Sequence, residues 1–432
     1  MSAPDPQPSR TPVIVGGNRI PFGKAGGGYA AASNQDMLTA ALDGLIARYG
    51  LAGERLGEVA AGAVLKHAKD FNLTREAVLG SALAPTTPAY DVQQACGTGL
   101  ETVIQVANKV AMGQIDSGIA GGVDSASDAP IAVSDGLRSA LLNASRAKTV
   151  PQRLAALASI RPRDLTLQTP RNSEPRTGLS MGEHQAITAK AWEISREAQD
   201  ELAAASHHHL ARAWESGFFD DLATPFLRMT TDEGMRPDTS VEALAKLKPV
   251  FGTGEGATMT AGNSTPLSDG AALVLIADQE WAARRNLPTL ARIVDAEVAA
   301  VDYVSGDEGL LLAPAYAVSR LLQRQGMSLQ DFDEYEIHEA FASTVLATLA
   351  AWESEEFCTE RLGRSDVLGS IDRDRLNTRG SSLAAGHPFA ATGGRIVATL
   401  AKSLAQRGSG SRGLVSICAA GGQGVVAILE AV

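Results

Sequence analysis

Cysteine is scarce. The 432 residues hold only Cys96, Cys358 and Cys418, spaced too widely for a disulfide framework or a zinc site, as expected of a reducing cytoplasm. The opening MSAPDPQPSRTP has neither an apolar core nor a cationic leader. It reads as a disordered tail over residues 1–11, not a signal peptide. Positive charge is in deficit: 38 Lys and Arg stand against 49 Asp and Glu, a net charge of −11, which argues against general nucleic-acid binding. No transmembrane helix is expected. The uncharged run GLVSICAAGGQGVVAIL (413–429) has interior glycines and β-branched ends, which suit two buried strands around a tight turn. A short-period repeat is absent as well.

What is present is ordinary for a globular protein, 44% hydrophobic and 20% charged, in a chain long enough for two or three domains. From 12 to about 127, short apolar runs such as VIVGG and EVAAGAVL alternate with helical ones such as DMLTAALDGLIARYG, which predicts an α/β fold with a largely parallel sheet. Residues 128–255 are richer in helices and polar loops and read as an inserted helical domain. Within them, Arg138 to Arg176 carries eight cations against Asp164 and Glu174, a local attraction for a polyanion, a partner protein or a lipid surface. His207, His208 and His209 are consecutive on a helix and point three ways, so they cannot share a metal; a solvated helix end is expected there. The α/β pattern then returns to the C-terminus, which suggests a duplicated fold. The polar segment from Glu353 to Arg379 has no legible role.

The stretch DVQQACGTGLETV places Cys96 directly ahead of a helix, because Leu100, Val103, Ile104, Ala107, Val110 and Ala111 form one apolar stripe that ends at Gly113. Partial positive charge at a helix N-terminus favours thiolate, the nucleophilic form. The glycines after Cys96 are expected to leave room for a substrate. A buried structural cysteine is the alternative reading of this stretch alone.

Three further motifs put reactive side chains at strand ends: EIHEAFA (336–342), AAGHPFAATGGR (384–395) and SICAAGGQG (416–424). Strand-end crevices are where α/β sheets bind ligands. A cysteine nucleophile needs a base, and His387 suits that task. Together with RIPFGKAGGG, GGVDSAS, RPDTSVEALAKLKPVF and TAGNSTPLSDGAA, all in the same order, these motifs resemble those of the thiolase family over nearly the whole chain. His338 in HEAF and Ala420 in CAAGGQG resemble the branch of the trifunctional fatty-acid β-oxidation enzymes; most thiolases have asparagine at the first position, and many have glycine at the second.

The resemblance implies two βαβαβαββ halves in a five-layer α-β-α-β-α arrangement. The N-terminal half would comprise 12–127 and 256–285, the loop domain that binds CoA 128–255, and the C-terminal half 286–432. It implies a two-step acyl transfer between 3-ketoacyl-CoA and CoA, or the reverse Claisen condensation, through acyl-Cys96. His387 would be the base for Cys96 and for the incoming CoA thiol, and Cys418 the acid–base group at the acetyl C2 carbon. One oxyanion site would be His387 with a water held by His338. The other would be the backbone N–H groups of Cys96 and Ala420, each site contributing roughly 3 kcal/mol to lowering the barrier. Met181, Phe251, Ala261 and Thr265 would contact CoA. No metal and no resident cofactor are implied, CoA being a substrate. Homodimers or homotetramers are implied, and in trifunctional-type relatives the loop domain also meets a partner chain with hydratase and dehydrogenase activities, or a membrane. Two rivals remain at this level: a decarboxylating, ketoacyl-synthase-like condensing enzyme, which would not need Cys418, and a silent thiolase-like protein that binds acyl-CoA or lipid.

Overall fold

The computed structural model describes residues 10–254, 256–305 and 308–432; most of the expected N-terminal tail, residues 1–9, lies outside them. The first half runs β1 (Pro12–Arg19), α1 (Asn34–Tyr49), β2 (Glu58–Ala61), α2 (Leu73–Gly80), β3 (Ala89–Asp91), α3 (Thr98–Ala111) and β4 (Ser117–Ser125). The intervening region contains α4 (Asp135–Arg146), α5 (Val150–Ala158), α6 (Met181–Ala191) and α7 (Arg196–Glu215), after which β5 (Ser268–Asp278) returns to the sheet. The second half follows as β6 (Ala291–Ala300), α8 (Ala313–Gln325), β7 (Glu334–Ile337), α9 (Ala342–Glu353), α10 (Ala391–Arg407), β8 (Arg412–Ala419) and β9 (Gln423–Ala431). Local signals set these limits. The Ser33 hydroxyl accepts from the Asp36 N–H while the Asp36 carboxylate accepts from the Ser33 N–H, a capping box that starts α1, and left-handed Gly50 ends it.

The strands order as β7-β8-β9-β6-β1-β5-β4-β2-β3, which makes the duplication visible. Reading outward from the central β1–β6 pairing, each half runs first, last, penultimate, second strand. The sheet is mixed, not largely parallel. β3–β2–β4 and β7–β8 are parallel, whereas β5 and β9 insert antiparallel beside the first strand of their half. The third strand of the second half is reduced to one parallel bridge between Tyr335 and Leu376. The Asn377 side chain takes its place on β7, accepting from the Ile337 N–H and donating to the Ile337 carbonyl.

Three large apolar clusters separate five layers. One packs α1 and α2 on the outer face of the first half-sheet, including Leu42, Leu45, Ile119 and Leu275. A central one holds α3 and α10 between the two half-sheets, with Leu100, Val103, Ile396, Leu400, Val274 and Val415. The third packs α8 and α9 outside the second half-sheet and recruits Cys358, Leu368, Ile371 and Leu376, which gives the polar-looking 353–379 segment a covering role. The two central helices approach so closely that a Cβ on Gly99 would lie 2.5 Å from the Ala390 carbonyl oxygen and one on Gly393 2.2 Å from the Leu100 N. Gly99 therefore serves helix packing, not substrate access.

The inserted region is tied to the core by a buried ion pair. Arg19 on β1 grips Asp232 through Nη1–Oδ1 and Nη2–Oδ2 contacts of 2.6 and 2.8 Å, and Asp232 also accepts from the Phe22 N–H and the Trp214 indole. The histidine triplet lies inside α7, not at a solvated end: His207 is buried against the Arg236 N–H, while His208 and His209 bond the carbonyls of Thr239 and Asn377. The three side chains diverge as expected, but each packs against a neighbouring segment and none forms a solvated helix end. No helix among the described residues is long and apolar enough to cross a membrane.

Candidate active site

Cys96 is the residue before Gly97, the N-cap of α3, on a turn where Ala95 adopts φ +47°. Left-handed backbone is costly for alanine. Thr98 holds the turn, its hydroxyl donating to the Ala95 carbonyl and accepting from the Gln94 N–H, both at 2.8 Å. In the duplicated pattern α10 is the counterpart of α3, and the loop before it carries His387. That loop is held by the first half: the His387 N–H donates to Ser268 Oγ and the Ala390 N–H to Asp124 Oδ2. The result is a 3.1 Å contact between Cys96 Sγ and His387 Nε2.

His338 is the first residue beyond β7 and is buried with its ring centroid 4.1 Å from that of His387. One donor atom from each of Cys96, His338 and His387 lies within 4.8 Å of the other two. The HEAF glutamate, Glu339, accepts from Ser206 on α7, from the Asn377 amide and from the Leu383 N–H, and so fixes the loop carrying His338. Cys418, near the end of β8, lines the same cavity of about 290 Å³ as Cys96, His387 and Ala420. The Ala420 backbone N–H points at the Cys96 sulfur. Cys358 is remote from these groups, buried in the third cluster with its thiol toward the Trp352 carbonyl.

Electrostatics correct the expectation of a stored thiolate. Burial pushes the Cys96 thiol up to about 12, outweighing the N–H groups of Ala420 and Cys96 itself, and Asp124 adds to the rise. Burial, reinforced by Arg395, pushes His387 down to about 3. Burial thus favours the neutral thiol and the neutral imidazole over their charged forms. Cys418 is raised by burial and by its proximity to Cys96, and His338 is lowered by burial, by His387 and by Arg395.

Met181, Phe251 and Thr265 line the 290 Å³ cavity; Ala261 is an exposed turn residue outside its lining. A second, larger cavity of about 620 Å³ also opens on Cys96 and is walled mainly by apolar groups, among them Val64, Leu65, Ala126, Ala129 and Phe389. Several further residues shape the site without a role assigned to them from the sequence: Asp124, Thr392 and Arg395 lie inside quoted motifs, Glu174 and Ser382 outside them. Asp124 accepts from the N–H groups of Val64, Leu65 and Ala390. Glu174, buried in the inserted region, accepts from the Gly421 N–H at 2.6 Å and from the Tyr303 hydroxyl at 2.8 Å, and so pins the turn after Cys418. Thr392, Ser382 and Arg395 surround the two imidazoles.

Known proteins resemble this chain over nearly its whole length. The family model described as "Thiolase, N-terminal domain" matches residues 12–280, and "Thiolase, C-terminal domain" matches residues 287–431. Proteins named 3-ketoacyl-CoA thiolase from Yersinia pestis (strain Pestoides F) and from Yersinia pseudotuberculosis serotype O:1b (strain IP 31758) are each 39% identical over 424 residues, 97% of this chain and 96% of the relative. The crystal structure of the Bacillus anthracis acetyl-CoA acetyltransferase superposes with a TM-score of 0.79 at 30% identity, covering 98% of this chain and 99% of that one. By its matched domains, its relatives and its architecture, the chain belongs to the thiolase family.

Proposed function

We propose that the chain is an acyl-CoA acyltransferase that cleaves 3-ketoacyl-CoA with CoA into acyl-CoA and acetyl-CoA, and runs the reverse condensation when product levels demand it. The observation that carries this reading is the Cys96–His387 contact of 3.1 Å in a cavity that also holds Cys418 and the Ala420 N–H.

His387 Nε2 takes the Cys96 proton as the sulfur bonds to the 3-keto carbon, and the N–H groups of Cys96 and Ala420 receive the oxyanion. The C2–C3 bond then breaks, its electron pair goes to C2, and Cys418 gives C2 a proton, which releases acetyl-CoA. The proton held by His387 returns to Cys418. In the second half, His387 takes the proton of the incoming CoA thiol, whose sulfur attacks the acyl group. Cys96 leaves and recovers its proton from His387. A neutral resting pair suits this cycle, because the proton moves only when the sulfur attacks. Coenzyme A is the co-substrate, and no resident cofactor enters.

The smaller cavity, with Met181, Phe251 and Thr265, suits the pantetheine arm. The larger apolar one suits a fatty-acyl tail, which favours 3-ketoacyl-CoAs longer than acetoacetyl-CoA and a degradative role in a cytoplasmic setting. A decarboxylating synthase would leave Cys418 without a task. The enzyme acts as a homodimer or homotetramer. In α4, α5 and their flanks Ile131, Val150, Leu154, Leu165 and Leu167 are exposed beside Arg138, Arg146 and Arg153, a face suited to a hydratase–dehydrogenase partner chain. Thiolysis rates across a 3-ketoacyl-CoA length series, with Cys96→Ser as control, test the reading: turnover that rises beyond acetoacetyl-CoA supports it. Condensation of malonyl substrates by a Cys418→Ala variant, or no thiolysis at any length, overturns it.

A further inference from the structure

Two hydroxyl groups stand behind the two imidazoles, and their own bonds differ. Thr392 Oγ1 lies 2.6 Å from His387 Nδ1 and is placed to donate to the Pro388 carbonyl at 3.4 Å. For Nε2 to take the Cys96 proton the ring proton must lie on Nδ1, where Thr392 Oγ1 accepts it while turning its own proton to the Pro388 carbonyl. Behind His338 the direction reverses. Ser382 Oγ lies 2.8 Å from His338 Nδ1 and 3.0 Å from Arg395 Nη2, which also reaches Ser381 Oγ at 3.1 Å. A guanidinium only donates, so Ser382 Oγ accepts from Arg395. His338 Nδ1 is then the acceptor within its reach. The other nitrogen of that ring, Nε2, is buried with no partner among the described residues, on a side chain packed against the Cys96–His387 pair.

We infer that Arg395 and Ser382 form a positioning relay that holds His338 as its Nε2–H tautomer, so that His338 presents a hydrogen-bond donor to the reacting thioester while His387, tautomerised the other way by Thr392, presents an acceptor. Neighbouring imidazoles of one residue type thus do opposite work because opposite hydroxyl directions stand behind them. The relay also accounts for Arg395, a buried cation. Its Nη2 finds two serine hydroxyls, and its charge opposes protonation of both rings. A neutral His338 with a fixed proton is a steady donor to a developing enolate or oxyanion. This inference rests on the acyltransferase reading for its purpose but not for its first test.

That test is the tautomeric state of the resting protein. In long-range 1H–15N spectra of histidine-labelled protein, with His338 assigned from a His338→Asn difference, the relay requires a protonated Nε2 and an unprotonated Nδ1 at His338, and the reverse at His387. Ser382→Ala leaves Arg395 its Ser381 contact. It is expected to blur the His338 signature and lower kcat roughly tenfold to a hundredfold with KM unchanged, and Ser382→Thr is expected to restore both. A protonated Nδ1 at His338 in the unaltered protein overturns the inference even if thiolysis is normal. So does Ser382→Ala with its tautomer intact and kcat within about twofold of the parent. Absence of thiolysis with the expected spectra would instead sink the acyltransferase reading and leave the relay standing.

Discussion

Cys96 Sγ and His387 Nε2 meet at 3.1 Å although 291 positions separate them in the chain. Each arrives on the loop before a central helix, one from each half of the duplicated fold. Because the thiol is pushed up to about 12, the thiolate fraction should keep climbing with pH through the neutral range. Alkylation of Cys96 by iodoacetamide is therefore expected to accelerate without a plateau between about pH 7 and 10. A plateau near neutrality would show a stored thiolate. Cys96→Ser should lower thiolysis by at least about a thousandfold while leaving the melting temperature unchanged.

Acid should unfold the protein through its buried neutral histidines. His207 is lowered to about 4 by burial and by Arg236, and His387 to about 3. For a base depressed on folding, the unfolded chain binds the proton first, so stability is full above about pH 6.5 and falls as the pH drops toward the folded value. His207 alone accounts for about 3 kcal/mol at the acid limit. A His207→Gln variant, whose side-chain bond is to the Arg236 N–H and not to a reacting group, should show a shallower loss of melting temperature between pH 6.5 and 4, with thiolysis at pH 8 preserved.

Bulk in the larger cavity should act on chain length alone. Ala129 lines that cavity and not the one shared by Met181 and Phe251. Ala129→Phe is expected to reduce kcat/KM for long 3-ketoacyl-CoAs by roughly ten- to a hundredfold, the worth of two or three buried methylenes. The same variant should leave acetoacetyl-CoA turnover within about twofold. Equal losses for short and long substrates would place the acyl tail elsewhere.

Glu174 holds the turn that aims the Ala420 N–H, through its bond to the Gly421 N–H. In Glu174→Ala the Gly421 N–H and the Tyr303 hydroxyl both lose their acceptor. A loss of about 1–2 kcal/mol of alignment is expected, read as a fall of about tenfold in kcat with KM little changed. Stopped-flow acylation of Cys96 should slow in step with it.

The reactive side chains were legible because each sits at a strand–helix or strand–turn junction among small residues, and the strand-and-helix rhythm of both halves follows from local apolar periodicity. What local reading missed depends on partners far along the chain. Asp124 acts on Ala390, 266 positions away, and Glu174 on Gly421, 247 away. The ionisation of Cys96 was misjudged for the same reason: the helix N-terminus is local, whereas the burial that overrides it is assembled from both halves. Gly99 illustrates a second blind spot, since a glycine beside a nucleophile looks like an access device until the opposing helix is in place. The lost strand near Leu376 was hidden because Asn377 does the hydrogen bonding of a backbone with a side chain.

The backbone contact between α3 and α10 has a consequence for how this protein can be taken apart. Gly99 and Gly393 leave no room for even one methyl group between the helices, so the nucleophile and its base share a single seam. A chain cut between β5 and β6 would give two pieces, each with one partner of the pair and a bare central helix. Catalysis would then report on reassembly of the seam, and neither half could act alone without first rebuilding it.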